Sequence, residues 1–272
     1  MKDLTDKEFS LLVDFIKSNY GINIKEEKRA LLVGRLYNTL VVNGYNSFSE
    51  FYGDLTANKS REAVTTLINR ITTNHTFFMR EKDHFVYFKD TVLPYLIDTV
   101  TDRDLRIWCA ACSTGEESYT LAMIIQDYLG KNKLYWDSKV LATDISERVL
   151  EEAKKGIYTA EKIEPLSALW KNAYFHRYDD YNCEIDDNIK KEVIYRKFNL
   201  MEKKLPFKKK LHVIFCRNVM IYFDNDTKVE LVKRFYDILE DGGYLFIGHS
   251  ESIARNESEF KYIMPAVYRK IK

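Results

Sequence analysis

Four short stretches of this sequence combine residue types that do chemistry. They are Asn74-His-Thr76 with Arg80 four residues on, Ser113-Thr-Gly115-Glu-Glu117, Ala142-Thr-Asp144-Ile, and Arg217-Asn-Val-Met-Ile-Tyr222-Phe-Asp224. The 113–117 stretch has one glycine where dinucleotide-binding turns carry three, so a pyrophosphate has no ready approach to the backbone. Its two carboxylates, Glu116 and Glu117, would repel a phosphate and favour a cationic ligand. They equally suit the positive end of a helix dipole, and both readings stand. Asp144, about 29 positions after Gly115, can accept the hydroxyls of a ribose or cap the helix that follows it. That separation exceeds the roughly 20 residues of the nicotinamide fingerprint. The chemistry these groups allow is recognition of a positively charged, ribose-bearing molecule.

The elements that must position these groups are legible from apolar periodicity. Leu105–Ala110, Lys139–Thr143, Leu211–Cys216, Tyr244–Gly248 and Ala266–Lys270 read as short buried strands. Glu116–Leu129, Ser146–Lys154 and Asn225–Leu239 read as helices between them, so the three later polar stretches fall at the carboxyl edge of a mostly parallel sheet. Residues 1–72 show only helical spacing, with Leu12, Phe15 and Ile16 on one helix and Leu32, Leu36 and Leu40 on another. The expected organisation is a helical domain over 1–72, a linker over 73–80 that contributes to the site, and an α/β domain over 81–272. The stretch 174–198 breaks the alternation. Its aromatic patches around Asp186-Asp187-Asn188 predict a small antiparallel β-subdomain.

Bulk properties narrow the class. In 272 residues, 46% are hydrophobic and 31% charged, ordinary for a globular protein with a sizeable core. The net charge of +1 offers no general attraction to nucleic acid or membrane. No apolar run reaches membrane-helix length and Met-Lys-Asp-Leu-Thr-Asp is not a signal sequence, so a cytoplasmic enzyme without membrane insertion is expected. Cys109 and Cys112 form a C-x-x-C, but no second cysteine or histidine pair completes a zinc set, and Cys109 and Cys216 fall within apolar strands. No metal is expected.

Taken together, T-T-N-x-T-x-F-x-R (72–80), S-T-G-E-E, A-T-D-I, F-N-L (198–200), C-R-N-V-M-I-Y-F-D and G-H-S-E-S (248–252) resemble the CheR family of chemotaxis-receptor methyltransferases, in the family's order and at similar spacing. The resemblance covers nearly the whole chain. It implies a class I (Rossmann-like) S-adenosylmethionine methyltransferase fold, α/β, behind an all-helical N-terminal domain and with an inserted antiparallel β-subdomain. It further implies that Asn74, Thr76, Arg80, Glu117, Asp144, Asn199, Leu200, Arg217 and Asn218 hold the cofactor, and that Arg80 and Tyr222 stand beside the transferred methyl group. The alternatives are that Asn199 only satisfies a strand end, that Arg217 only forms a structural ion pair, and that Tyr222 only packs on the next helix.

The activity implied is methyl transfer from S-adenosylmethionine to receptor glutamates, leaving S-adenosylhomocysteine and a glutamyl methyl ester. An alternative is a non-catalytic cofactor-binding or receptor-docking module of the same fold. A glutamate is already anionic at pH 7, so orienting groups are expected rather than a catalytic base. The implied partner is the cytoplasmic helical bundle of a methyl-accepting receptor, bound by a monomer. Lys28 and Arg35, seven residues apart, and Lys25 nearby offer a basic helix face for it, or merely a solvated surface. Some family members also take a receptor C-terminal peptide on the β-subdomain by strand addition. Two residues depart from the family pattern: Cys112 stands where many relatives have a small residue such as serine, and Ser118 where many have proline. Base methylation of nucleic acid is disfavoured by the absence of an N/D-P-P-Y/F tetrapeptide.

Overall fold

A computed structural model describes residues 4–57, 61–72, 74–254 and 258–271. Position 73, the first of the expected linker, lies outside the described residues. The chain divides into two compact units: Met1–Thr73 with Asn199–Met201 and Tyr222–Lys228, and Asn74–Phe198 with Glu202–Ile221 and Val229–Lys272.

Among its described residues up to 72, the first unit has the helices α1 (Asp6–Tyr20), α2 (Arg29–Val42), α3 (Phe48–Thr56) and α4 (Arg61–Ile71), with a 3-10 turn at Glu26–Lys28 before α2. Thr5 and Glu8 form a capping box that starts α1, and Gly21, left-handed at φ 71°, ends it. The leucine stripe of α2 is buried: Leu32 is 3% exposed, Leu36 and Leu40 are 0%. It packs with Leu12, Ile16, Phe48 and Phe51 into one core. The Glu8 carboxylate also accepts the Ser49 N–H and hydroxyl at 2.8 Å, tying α1 to the start of α3. The two later segments belong to this core's periphery. Ile22 bridges Phe223, Asn23 N–H donates to the Tyr222 carbonyl at 2.7 Å, and Lys17 pairs with Asp224 at 2.7 Å.

The second unit begins with α5 (Lys82–Tyr87), a π turn (Phe88–Val92) and α6 (Leu93–Thr99). Pro94 sits at the start of α6, and its missing N–H and bulky ring account for the widened turn just before it. Then follow β1 (Ile107–Cys109), α7 (Glu116–Leu129), β2 (Val140–Asp144), α8 (Glu147–Lys155) and β3 (Ile157–Thr159). Next come α9 (Ala168–Tyr174), β4 (Phe175–Arg177), β5 (Asn182–Ile185), α10 (Asp187–Lys190), β6 (Val193–Lys197) and β7 (Leu211–Phe215). The chain closes with α11 (Asn225–Ile238), β8 (Leu239–Phe246), β9 (Lys261–Met264) and β10 (Val267–Arg269).

Seven strands form a sheet in the order β6-β2-β1-β7-β8-β10-β9. The first five are mutually parallel, and β10 runs antiparallel to both its neighbours. Alternation along the strands separates two apolar layers. Phe215 and Phe246 stack at 4.3 Å and meet Phe85 and Phe88 of the first helical stretch, whereas Trp108 packs on Phe235 of α11. Helices therefore cover both faces.

A separate three-stranded antiparallel sheet, β3-β5-β4, lies within 157–185. Its bounds differ from the expected 174–198. Val193–Lys197 pairs in parallel with all of β2 and forms the edge of the main sheet. Asp186 does not make a hairpin turn; its side chain accepts the Asn188 N–H and caps α10. The hairpin turn sits at Asp179, which accepts the N–H groups of Tyr181 and Asn182.

Candidate active site

At the exit of β1 the chain turns sharply into α7. Ser113 is left-handed at φ 48° and Gly115 at φ 98°. A Cβ on Gly115 would lie 2.7 Å from the Tyr195 hydroxyl and 3.0 Å from that of Tyr158, so only glycine fits. Asp144 ends β2 beside this turn. One of its oxygens accepts the Ser113 N–H at 2.9 Å and the other the Ser146 N–H at 3.0 Å. Burial pushes the Asp144 carboxyl up from its ordinary range, and these backbone donors only partly restore it. The Ile145 N–H is a third backbone donor to this carboxylate, so the Asp144 side chain is fixed from the 113–115 turn and from its own strand exit. The Ser113 hydroxyl donates to the Asn74 carbonyl at 3.3 Å, which brings the 74–80 segment to the same turn.

The centre of the polar cluster is Arg217, just past β7, with a side chain only 2% exposed. Its Nη1 donates to Glu117 at 2.5 Å, and its Nη2 to Glu81 at 2.9 Å and to the Arg80 carbonyl at 2.5 Å. The guanidinium also lies over the Phe85 ring, 5.2 Å from its centroid. Burial opposes the charge, but the two carboxylates outweigh it and raise the Arg217 pKa further. Glu117 also accepts the Cys109 thiol at 3.0 Å. Arg217 is thus an interior ion-pair hub, and its Nε is buried with no partner among the described residues.

Two acids that the sequence reading gave no role complete the cluster. Glu81, left-handed at φ 57°, accepts from Arg217, from Asn218 Nδ2 at 3.1 Å and from His249 N–H at 3.2 Å. Burial alone would raise its pKa; Arg217 and these donors bring it down to about 2. Glu251 accepts the N–H groups of Asn218, Ile221 and Gly248 at 2.9, 3.1 and 2.5 Å, and burial raises its pKa. It holds Asn218 at φ 58°. Gly248 is required here as well, because a Cβ would lie 2.3 Å from Asn218 Nδ2. Of six non-glycine residues with positive φ among those described, Met79, Glu81, Ser113 and Asn218 belong to these segments, a concentration of backbone strain expected where geometry serves a site. The only advance signal for either acid was proximity in sequence: Glu81 adjoins Arg80, and Glu251 lies in G-H-S-E-S.

The remaining expected residues are placed as follows. Arg80 donates to the His75 carbonyl at 2.7 Å, and Asn74 and Thr76 are half-buried in the same segment. Asn199, Leu200 and Tyr222 group with the helical unit, not with the sheet. There the Asn199 amide is engaged at both ends, donating to the Asn19 carbonyl at 2.7 Å and accepting the Met201 N–H at 3.0 Å. Leu200 is buried. Tyr222 lines a small cavity of about 80 Å³ with Lys28, Leu31 and Arg35, so the candidate aromatic and two of the three candidate basic residues come together. Arg35 donates to the Ile71 carbonyl at 2.9 Å, and Lys25 is exposed at the start of the 3-10 turn. All four cysteines are free thiols, and burial raises the pKa of Cys109, Cys112 and Cys216. No described helix is long and apolar enough to cross a membrane.

Comparison with known proteins identifies the family. Residues 74–268 match the family model described as the SAM binding domain of CheR methyltransferase, and residues 7–72 match its all-alpha domain. The chemotaxis protein methyltransferase of Borreliella burgdorferi is 41% identical over 271 residues, 98% of this chain and 95% of that one. Those of Escherichia coli and Salmonella typhimurium are 35% and 34% identical, each across 97% of this chain and 91% and 90% of their own. The two family matches cover the helical unit and the sheet-bearing unit, and the chain belongs to the CheR methyltransferase family, with an all-alpha domain ahead of an S-adenosylmethionine-binding methyltransferase domain.

Proposed function

We propose that this chain methylates glutamate side chains of chemotaxis receptors, converting γ-carboxylates to methyl esters. The observation that carries the reading is the rim formed by Asp144 and Glu117 around a single-glycine turn, in a chain similar over nearly its whole length to chemotaxis protein methyltransferases. S-adenosylmethionine, when bound, supplies a methyl group activated by its sulfonium.

The residues divide the work by charge. Asp144, held at the strand exit by backbone N–H groups, suits the ribose hydroxyls. Glu117 contributes negative charge toward the cationic part of the donor, and Arg217 acts through it by fixing its carboxylate. Asn74, Thr76, Asn218, Asn199 and Leu200 complete the donor site in this reading. Arg80, whose guanidinium among the described residues donates to the His75 carbonyl through Nη1, keeps donors to pair with a carboxylate in the bidentate geometry that guanidinium favours. Tyr222 orients the acceptor.

No proton has to be removed from the acceptor, because a glutamate of ordinary pKa about 4.3 is ionised at pH 7. The barrier lies in stripping water from the carboxylate and aligning it, which is work for a shaped site. Lys28 and Arg35, beside Tyr222, suit an acidic receptor helix, with Lys25 extending the basic face. A receptor C-terminal peptide would pair along an edge of the three-stranded sheet. We infer that the enzyme acts as a cytoplasmic monomer.

The test is transfer of tritium from labelled S-adenosylmethionine to receptor-containing membranes, followed by release of volatile methanol on base treatment. Wild type should label and Asp144→Ala and Arg80→Ala should label at least tenfold less. Equal labelling by both variants would refute the site assignment, and no base-labile label at all would refute the ester chemistry.

A further inference from the structure

Glu116, the first residue of α7, has a side chain with no exposure at all, and the reaction described above makes no use of it. Both its oxygens are engaged. One accepts the Thr114 hydroxyl at 2.7 Å and the other the Lys162 ammonium at 2.7 Å. Thr114 is the middle residue of the turn between Ser113 and Gly115. Its carbonyl is held as well, by the Tyr158 hydroxyl at 2.7 Å. The Lys162 ammonium lies 5.8 Å from the centroid of the Tyr158 ring. Thr114 is therefore gripped at its side chain and its backbone by two anchors, and both anchors trace to one short stretch. Tyr158 is in β3 of the small antiparallel sheet, and Lys162 is in the turn just after it.

A carboxylate at a helix start favours the helix dipole, but a fully buried one is costly unless paired. Lys162 supplies the pair while remaining partly exposed, so its replacement does not open the core. The pair also fixes which way Glu116 presents its oxygens to Thr114, and through Thr114 it fixes the peptide that leads into Gly115. The Ser113 N–H of the same turn is bonded to Asp144. We propose that Lys162 is a positioning residue for methyl-donor binding. Through the buried Glu116 it sets the 113–115 turn, and the small antiparallel sheet thereby becomes part of the donor site's support. The inference rests on reading that turn and Asp144 as the donor site.

Calorimetry with S-adenosylmethionine and steady-state kinetics on the full chain test it. Lys162→Met should raise the donor Kd and KM about tenfold and leave kcat within twofold. Lys162→Arg should restore binding to within threefold of wild type. Glu116→Gln keeps the contact to Thr114 and should weaken donor binding about threefold, and in that background Lys162→Met should add less than twofold. A merely structural ion pair would lower the thermal midpoint of the unliganded protein without moving the donor Kd. Should Lys162→Met fail to fold, the Glu116→Gln pair of variants decides the matter. Lys162→Met and Glu116→Gln binding the donor as wild type does, while Asp144→Ala loses it, would overturn the positioning role and leave the donor site standing. Unchanged binding in Asp144→Ala as well would bring down both.

Discussion

Arg217 and Glu117, one hundred residues apart in sequence, meet at 2.5 Å in the interior of the second unit. The contact is half of a Glu81–Arg217–Glu117 triad built on a buried cation and two largely covered carboxylates. Removing the cation should leave two carboxylates uncompensated. Arg217→Met is expected to lose about 3–5 kcal/mol of stability in urea unfolding. Arg217→Lys should recover only part, because one ammonium cannot replace a fork that serves three acceptors. Neutralising both acids in Arg217→Met with Glu81→Gln and Glu117→Gln should restore much of the loss, as measured by the same unfolding curves.

Acid sensitivity should centre on Glu81. Its folded-state pKa of about 2 lies below its ordinary 4.5, so the stability it contributes is complete above pH 4.5 and is lost as pH falls toward 2. The shift corresponds to a contribution on the order of 3 kcal/mol. Glu81→Gln should flatten the stability profile between pH 5 and 2 relative to wild type. An unchanged slope in that window would show that other carboxyls control it.

Gly115→Ala should fail for two separable reasons. The backbone is left-handed at φ 98°, and the new methyl would meet the Tyr195 hydroxyl. Backbone handedness alone costs roughly 1–2 kcal/mol. Adding Tyr195→Phe should relieve only the contact part. Thermal midpoints of the single and double variants would separate the two, and donor binding should fall in both.

Glu251→Ala should leave the N–H groups of Asn218, Ile221 and Gly248 without their acceptor. Each unsatisfied buried donor costs about 1–3 kcal/mol, so a loss of several kcal/mol is expected, with donor binding weakened as Asn218 leaves its left-handed conformation. Hydrogen exchange should show these three amides losing protection first.

Charge reversal on the basic face should separate acceptor from donor recognition. Lys28→Glu is expected to raise the receptor KM about tenfold at low salt while leaving the donor Kd within twofold. The difference should shrink as ionic strength rises.

Much of this architecture was readable because it is local. Glu116–Leu129 is helical as its spacing predicts, and Asp144 and Gly115 sit at strand exits because the apolar runs before them are short and clear. What escaped was settled at long range. The 82–99 helical stretch carries Pro94, which interrupts its pattern, and its sequence gives no clear helix signal. Val193–Lys197 alternates like a hairpin strand, yet a parallel partner in β2 took it into the main sheet. Glu81 gains its role from Arg217, 136 positions later, and no pattern in the intervening sequence marks that meeting. Asn199 and Tyr222 follow strand-like runs, but their neighbours on α1 and at Asn23 draw them into the helical unit.

The make-up of that helical unit limits how it can be recombined. A fragment ending at residue 73 would lack Asp224, the partner of Lys17, and Met201, whose sulfur lies over Gly21. Transplanting the module between relatives therefore means exchanging three separate pieces of gene together, and a chimera joined at a single junction would inherit mismatched seams at Ile22, Asn19 and Lys17.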